Sequence, residues 1–295
     1  MTAFMLAHLS DPHLPPLPVP RLGDLVGKRA FGYLNWTRNR HKYQRRDVLD
    51  ALVSDVQRQE PDHIAITGDF VNLALEAEFE PARAWLAGVG SPDRVTIVPG
   101  NHDAYVRATR HRFAETWESY LRSDISAADG IFPVLRRRGP IALIGVSSAV
   151  PTPPLMATGR LGRTQRYALE QLLSRLAAEP LFRILLIHHP LRSNSRAKAL
   201  TDSAELCTLL KRHGVELVLH GHDHVHSTIW IDGPKRTIPV VGVPSASALA
   251  HGRYPAAAYN LFSVERDGDA WRCAQTIHGI DDQLRFQPLS RTQLM

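Results

Sequence analysis

The chain alternates short apolar runs with stretches in which apolar residues recur at helical spacing. The first part contains three such pairs, with strands predicted at 4–10, 63–68 and 94–99 and helices at 47–60, 76–88 and 105–122. A predicted strand pair at 133–137 and 141–148 is followed by helix, strand, helix and strand at 164–179, 182–188, 203–213 and 215–220. From residue 227 onward the pattern predicts strands only, at 227–231, 237–243, 259–265 and 271–277.

This order of elements predicts the fold class. Alternating βα units followed by consecutive strands favour two sheets packed face to face with helices outside, an α/β protein built as a four-layer α/β/β/α sandwich with two mixed sheets. No linker rich in Gly or Ser interrupts the chain, so we expect a single domain over 1–295 with an insert at about 15–46. The tail at 280–295 has weak periodicity and could close a cleft or be a frayed end.

Polar residues with metal-binding chemistry follow five of the apolar runs. The motifs are Asp11-Pro12-His13, Gly68-Asp69, Gly100-Asn101-His102-Asp103, His188-His189-Pro190 and Gly221-His222-Asp223-His224. A turn could explain any one of them, but not five in the same position after a strand. Open α/β folds bind ligands at the carboxyl ends of their strands, so the pattern predicts a metal centre there, with two ions. His8, His63 and His220 lie beside the motifs and are interpreted as supporting residues.

Taken in order, the motifs D-x-H, G-D, G-N-H-D, H-H-P and G-H-x-H resemble those of the calcineurin-like metallophosphoesterase superfamily. The resemblance extends from Asp11 to His224, about three quarters of the chain. It implies the four-layer sandwich and a dinuclear metal site at the carboxyl ends of the strands. It does not imply a substrate, because one fold carries many functions.

The resemblance also implies a set of ligands. One ion would be bound by Asp11, His13, Asp69 and His224, and the other by Asp69, Asn101, His188 and His222. His189 is an alternative to His188, which is favoured because the ligand histidine of the family pattern stands two residues before the proline. Imidazole-rich sites of this kind suit Mn, Fe, Zn or Co.

Two such ions about 3.5–4 Å apart would activate a bridging hydroxide for in-line attack on a phosphoryl group. His102 is the candidate to protonate the leaving alkoxide or to stabilise the phosphoryl oxygens, a contribution of about 10²–10⁴ in rate. Asp103 is expected to accept a hydrogen bond from that imidazole and to fix its tautomer. The alternative for His102 is a neighbour of the ligands that only caps a helix.

The segment Arg21–Arg46 bears on the substrate. It carries eight Lys or Arg residues against Asp24 as the only acid, a net charge of +7 compared with +6 for the whole chain. Apolar residues lie between the charges, and those from Leu22 to Arg29 follow helical spacing. Such a segment could bind an anionic membrane surface or the phosphates of nucleic acid. It could also be a solvated basic helix with its apolar face packed on the body.

We therefore expect a metal-dependent phosphodiesterase that hydrolyses a small phosphodiester, with a cyclic nucleotide as the first candidate. His102 in the G-N-H-D motif favours this reading. The alternative is a membrane-associated hydrolase of a lipid phosphodiester or pyrophosphate such as UDP-diacylglucosamine. A nucleic-acid-binding nuclease or scaffold is the third hypothesis. Nucleic acid is the least favoured partner, because no repeated stacking platform accompanies the basic segment.

Composition adds expectations about the surroundings of the protein. Only two cysteines, Cys207 and Cys273, occur among the 295 residues, which suits a reducing compartment. The amino terminus lacks a charged region before its apolar run, and no run approaches the length that spans a bilayer. We expect a cytoplasmic protein, with possible contact to the inner membrane face through Arg21–Arg46. The strands after residue 227 offer a possible homodimer interface.

Overall fold

The computed structural model describes residues 3–125 and 130–295, in which two six-stranded sheets are the central elements. The strands are β1 (Phe4–Leu9), β2 (His63–Ile66), β3 (Val95–Ile97), β4 (Val134–Arg138), β5 (Ile141–Gly145), β6 (Phe182–Leu186), β7 (Leu217–His220), β8 (Ser227–Ile231), β9 (Ile238–Gly242), β10 (Ala258–Asp267), β11 (Ala270–Ile280) and β12 (Phe286–Gln293). The α-helices are α1 (Lys28–Arg38), α2 (Arg46–Arg58), α3 (Glu76–Val89), α4 (Arg112–Thr116), α5 (Arg163–Leu176) and α6 (Ser203–His213).

Both sheets are mixed. The first has the order β12-β11-β10-β1-β2-β3, and the second has the order β4-β5-β6-β7-β9-β8. In the first sheet β1, β2 and β3 are parallel neighbours, while β10, β11 and β12 add antiparallel strands. In the second sheet β5, β6, β7 and β9 are parallel, with β4 and β8 as antiparallel edges. The parallel strands of each sheet therefore bring their carboxyl ends to one edge.

Alternating side chains of the central strands divide the core into layers. Leu6 and Leu143 point between the two sheets and pack in one apolar cluster. Their neighbours Ala7 and Ile144 point outward, toward the clusters that the helices cover on either side. Three apolar interfaces in succession make four layers. The expected α/β/β/α sandwich is confirmed.

The helices pack on the sheets through one apolar face. In α2 the buried Val48, Leu49, Leu52 and Val56 recur at helical spacing, as expected for a helix lying on a sheet. Over the described residues, none of the helices combines the length and the apolar character that crossing a membrane requires.

The helix predicted at 105–122 is wrong. The segment instead contains a 3-10 turn at Arg107–Thr109, the short α4, and a second 3-10 turn at Glu118–Leu121. Trp117 is fully buried, with its ring 4.9 Å from those of both Phe70 and Phe113. Packing around this indole overrides a helical spacing of apolar residues.

The carboxyl-terminal strands are divided between the two sheets. β8 and β9 extend the second sheet, whereas β10 and β11 cross to the first. The tail forms β12 along the edge of β11 and neither closes a cleft nor frays. Its last residues are tied down as well, because Leu294 N donates to Cys273 O at 2.8 Å.

His63 in β2 makes the fold sensitive to acid. Its ring is fully buried, with Nε2 2.8 Å from Thr96 Oγ1. Burial lowers the pKa of His63 to about 3, and the positive charges of Arg138, Arg136 and Arg94 add to the effect. In the unfolded chain an imidazole titrates near pH 6.5. Between these pH values the unfolded state binds more protons, so stability is full above about pH 6.5 and declines as the pH falls.

We expect His63→Gln, which retains a donor for Thr96, to weaken this pH dependence. Removing one such histidine reduces the slope of the unfolding free energy by up to about 1.4 kcal/mol per pH unit in the acid range. Denaturant unfolding at a series of pH values measures the slope, with the exposed His111→Gln as the matched control. A slope identical to that of the wild type would contradict the role given to His63.

Candidate metal centre

Five parallel strands deliver the polar motifs to one place. β1, β2 and β3 of the first sheet end in the loops that carry Asp11, His13, Asp69 and Asn101, and β6 and β7 of the second sheet lead to His188, His222 and His224. Side chains join the two sheets here, because His188 Nδ1 donates to Thr67 O at 2.6 Å and His222 N donates to Asp11 Oδ2 at 3.0 Å. All seven predicted ligands lie at this junction.

The backbone is strained where these side chains project. Asp11, His13, Asp69, His222 and His224 have φ values of 53°, 38°, 60°, 71° and 55°. Residues other than glycine rarely adopt this left-handed conformation, and each instance costs of order 1–3 kcal/mol. Such strain, concentrated on five neighbouring polar residues, is typical of a functional site.

Two glycines allow the loops to approach each other. A Cβ atom on Gly100 would overlap the carboxylate and the backbone nitrogen of Asp69. A Cβ atom on Gly221 would overlap the hydroxyl of Ser10 and the carboxylate of Asp11. Glycine is therefore required at both positions by the close packing of buried carboxylates.

A first group of donor atoms surrounds Asp11. His224 Nε2 lies 3.0 Å from Asp11 Oδ1, and His13 Nε2 lies 3.8 Å from the same oxygen and 3.3 Å from His224 Nε2. The other ring nitrogen of His13, Nδ1, donates to Val71 O at 3.3 Å, which leaves the Nε2 lone pair facing the carboxylate.

A second group surrounds His188. Its Nε2 lies 3.3 Å from Asp69 Oδ2 and 3.1 Å from Asn101 Oδ1, while Nδ1 is occupied by the Thr67 carbonyl. His222 Nδ1 lies 2.8 Å from Asn101 Oδ1 and 3.3 Å from His188 Nε2. The facing atoms are thus carbonyl, carboxylate and imidazole lone pairs.

Lone pairs that face each other in a buried site need a cation between them. Burial alone would lower the pKa of His188, but Asp69 overcomes this effect and raises it to about 10. Burial would likewise raise the pKa of Asp69, yet His188 and His102 hold it well below its usual range. A proton on His188 therefore supplies positive charge in a donor set that also fits metal ions.

His189 does not face the donor groups. Its Nδ1 lies 2.7 Å from Ser148 Oγ and its Nε2 donates to Ala157 O at 3.2 Å. Both ring nitrogens are therefore engaged, and burial lowers the pKa of His189 to about 3. The neighbours of the motifs behave in a similar way, since His8 and His220 are buried and hydrogen-bonded.

His102 lines the cavity above the donor groups. Its Nδ1 donates to Asn72 O, and its ring stacks on Tyr105 with centroids 5.1 Å apart. Burial lowers the pKa of His102 to about 4, an effect that Asp69 opposes and the positive charge of Arg40 reinforces. In the neutral ring Nε2 is therefore an acceptor, available to the cavity.

The expected hydrogen bond from His102 to Asp103 is wrong. The Asp103 carboxylate accepts from the backbone nitrogens of Asp69, Phe70, Val71 and Gly100, at 2.8–3.2 Å. Burial and the negative charge of Asp69 raise the pKa of Asp103. Asp103 joins the loops after β2 and β3, because unpaired buried N–H groups would otherwise be costly. The tautomer of His102 is fixed by the Asn72 carbonyl instead.

A cavity of about 420 Å³ opens above the donor groups. Asp69, Asn101, His102, His222 and His224 form its floor. Its walls contain Asp223 of the fifth motif and eight residues that no motif indicated: Asn35, Asn39, Arg40, Tyr43, Ala157, Lys198, His251 and Tyr254. Arg40 and Tyr43 belong to the basic segment, whose composition was the only sequence signal for them. Lys198, His251 and Tyr254 carried none.

The basic segment differs in structure from its predicted spacing. The apolar residues from Leu22 onward do not form a helix with Arg29, because a 3-10 turn at Leu22–Asp24 precedes α1 at Lys28. The segment is attached to the body by Trp36, which is buried, and by Arg29, whose Nε donates to Leu73 O at 3.0 Å. The turn after α1 then reaches the cavity wall.

The chain is similar to known phosphoesterases. A probable cyclic nucleotide phosphodiesterase from Synechococcus sp. is 27% identical over 242 residues, which cover 80% of this chain and 84% of the relative. A dimetal phosphatase from Danio rerio has a similar structure, with a TM-score of 0.67 and 12% identity over 100% of this chain and 99% of that one. A purple acid phosphatase from yellow lupin seeds also has a similar structure, with a TM-score of 0.62 and 11% identity over 99% of this chain and 53% of that one.

The two solved structures establish likeness of fold, since their sequence identities are low. The match to a family model shows more than the fold, because it includes the polar motifs. Residues 4–226 match the sequence model described as calcineurin-like phosphoesterase, and all five polar motifs lie within that range. This chain belongs to the calcineurin-like phosphoesterase family.

Proposed function

We propose that this protein is a metal-dependent phosphodiesterase that hydrolyses a small phosphodiester, with cyclic nucleotides as the first candidate substrates. The observation that carries the proposal is the convergence of buried imidazole, carboxylate and amide lone pairs beneath an open cavity. The Synechococcus relative, itself described as a probable cyclic nucleotide phosphodiesterase, supports this choice of substrate.

Two ions would divide the donor atoms. One would be held by Asp11, His13, Asp69 and His224, and the other by Asp69, Asn101, His188 and His222. The distances within each group support this division, and the engaged nitrogens of His189 favour His188 as the ligand. When bound, the ions would supply Lewis-acid activation of the phosphoryl group and of the attacking water. Mn, Fe, Zn and Co all suit imidazole and carboxylate donors.

The residues of this chain then have separate tasks. Asp69 lies between the two donor groups, so its carboxylate can serve both ions. His102 presents Nε2 to the cavity while the Asn72 carbonyl holds the ring in place. A bound phosphoryl group would favour the protonated ring, because an adjacent anion stabilises the imidazolium. Protonated His102 could then transfer its proton to the leaving alkoxide.

The first test removes the shared ligand. We expect the wild-type protein, supplied with Mn²⁺, to bind two ions per chain and to hydrolyse cyclic AMP and bis-(p-nitrophenyl) phosphate. Asp69→Ala should lose metal and turnover together, because both donor groups lose an anionic ligand. Metal content by mass spectrometry and initial rates measure this, and the exposed Asp93→Ala is the control. A wild-type protein that binds no metal would refute the proposal.

The second test separates His102 from the ligands. We expect His102→Ala to keep both ions and to lower kcat by about 10²–10⁴ for cyclic AMP, whose leaving group is an alkoxide. The loss should be smaller for bis-(p-nitrophenyl) phosphate, because p-nitrophenolate leaves with little need of a proton. Equal losses on the two substrates would contradict proton donation and would favour a positioning role for the ring.

A second candidate function is favoured by the surface of the basic segment. Four of its large apolar side chains are exposed to solvent, namely Leu22, Val26, Phe31 and Leu34, and Val19 just before the segment is exposed as well. The exposed Arg21, Arg38 and Lys42 lie in the same segment. Apolar and basic groups together suit an anionic membrane surface. The protein would then be a membrane-associated hydrolase of a lipid phosphodiester or pyrophosphate such as UDP-diacylglucosamine.

This candidate predicts that Phe31→Ser/Leu34→Ser weakens binding to vesicles of phosphatidylcholine with phosphatidylserine by about tenfold or more, because two apolar side chains no longer enter the membrane. Turnover of bis-(p-nitrophenyl) phosphate should not change. Vesicle sedimentation measures the first quantity, with Tyr167→Ser as a control for an exposed apolar side chain elsewhere. If the wild type does not sediment with these vesicles, the membrane hypothesis fails and the soluble substrate remains.

A further inference from the structure

Arg40 occupies a special position in the basic segment. It begins the 3-10 turn that follows α1, is partly buried, and lines the cavity together with Asp69, Asn101 and His102. Within residues 3–125 and 130–295 its guanidinium makes neither a hydrogen bond nor an ion pair with a protein group. A guanidinium that is withdrawn from bulk water without an acceptor is costly, so the position calls for an anionic partner.

The other basic residues of the segment are hydrogen-bonded, ion-paired or exposed to water. Lys28 Nζ donates to Thr152 Oγ1 at 2.6 Å, and Arg29 holds the carbonyl of Leu73. Arg45 and Arg46 pair with acids of α2. Arg21, Arg38 and Lys42 are exposed, so water solvates their charges. Arg40 is different because it is partly buried and lines the cavity above the donor groups.

The negative charge of Asp69 acts on the Arg40 guanidinium. Burial lowers the pKa of its guanidinium, and the carboxylate of Asp69 opposes that effect. Because Arg40 lines the same cavity as Asp69, Asn101 and His102, it can interact with a phosphoryl group bound there.

The turn that carries Arg40 is fixed on the following side. Tyr43 stacks on His251 with ring centroids 3.7 Å apart and planes at 3°. Leu249 N donates to Tyr43 O at 2.8 Å, and Arg45 N donates to Ser247 O at 2.8 Å. Preorganised charges contribute more to binding than mobile ones, because little ordering remains to be done.

We propose that Arg40 binds the non-bridging oxygens of the substrate's phosphoryl group and is a specificity-determining residue contributed by the inserted segment. This inference rests on the proposed phosphodiesterase function. A planar guanidinium can donate two parallel hydrogen bonds to such oxygens, which an ammonium group cannot do. The substrate group that Arg40 recognises is therefore an anionic phosphoryl or a similar tetrahedral oxyanion.

The test compares Arg40→Ala, Arg40→Lys and Arg38→Ala, all loaded with Mn²⁺. We expect Arg40→Ala to weaken competitive inhibition by inorganic phosphate and to lower kcat/KM for bis-(p-nitrophenyl) phosphate, each by about 10- to 100-fold, the range for hydrogen bonds to charged groups. Arg40→Lys should recover only part of the loss. Arg38→Ala removes a charge two residues away at an exposed site and should match the wild type.

Metal content and phosphate binding by calorimetry distinguish the possible failures. Arg40→Ala should retain both ions, since Arg40 is not a ligand. If its affinity for phosphate equals that of the wild type, the inference about Arg40 is wrong, although the phosphodiesterase could stand. If the wild type binds metal and phosphate but hydrolyses none of the diesters, the proposed function fails. The phosphate affinities of the variants still decide the role of Arg40.

Discussion

Two buried carboxylates, Asp11 and Asp69, impose the constraint on which the site depends. Removing a carboxylate from water costs several kcal/mol unless positive charge compensates it. Here imidazole nitrogens surround both carboxylates, and His188 carries a strongly raised pKa because Asp69 lies 3.3 Å from its Nε2. Any cation that replaces that proton inherits the same compensation. Because the buried carboxylates need positive charge beside them, the site favours binding of metal cations.

The packing of the two sheets holds these carboxylates and imidazoles together. Each donor group takes residues from both sheets, so its geometry depends on how the sheets pack and not on one loop alone. Hydrogen bonds from His188 to Thr67 and from His222 to Asp11 cross the junction. Gly100 and Gly221 permit the close contact, and the left-handed backbone of five of the predicted ligands is the strain that remains.

The basic segment and the floor of the cavity are held by the same loop, which lies between β2 and α3. Glu78 accepts hydrogen bonds from the backbone nitrogens of Asn72 and Leu73 and so fixes the loop that precedes α3. The Asn72 carbonyl of this loop orients His102, and its Leu73 carbonyl binds Arg29 of the segment. A shift of the basic segment would therefore move both the cavity wall and the His102 ring.

The sequence by itself determined the α/β sandwich, most strand positions and the seven clustered polar residues, because periodicity and strand-end motifs are local. It could not determine that Asp103 binds four backbone nitrogens instead of His102, since three of those nitrogens belong to the loop after β2, which folding brings to Asp103. Nor could it reveal that Trp117 breaks a helical pattern or that Arg40 faces the cavity. Such facts depend on contacts between distant segments, and only the tertiary structure decides them.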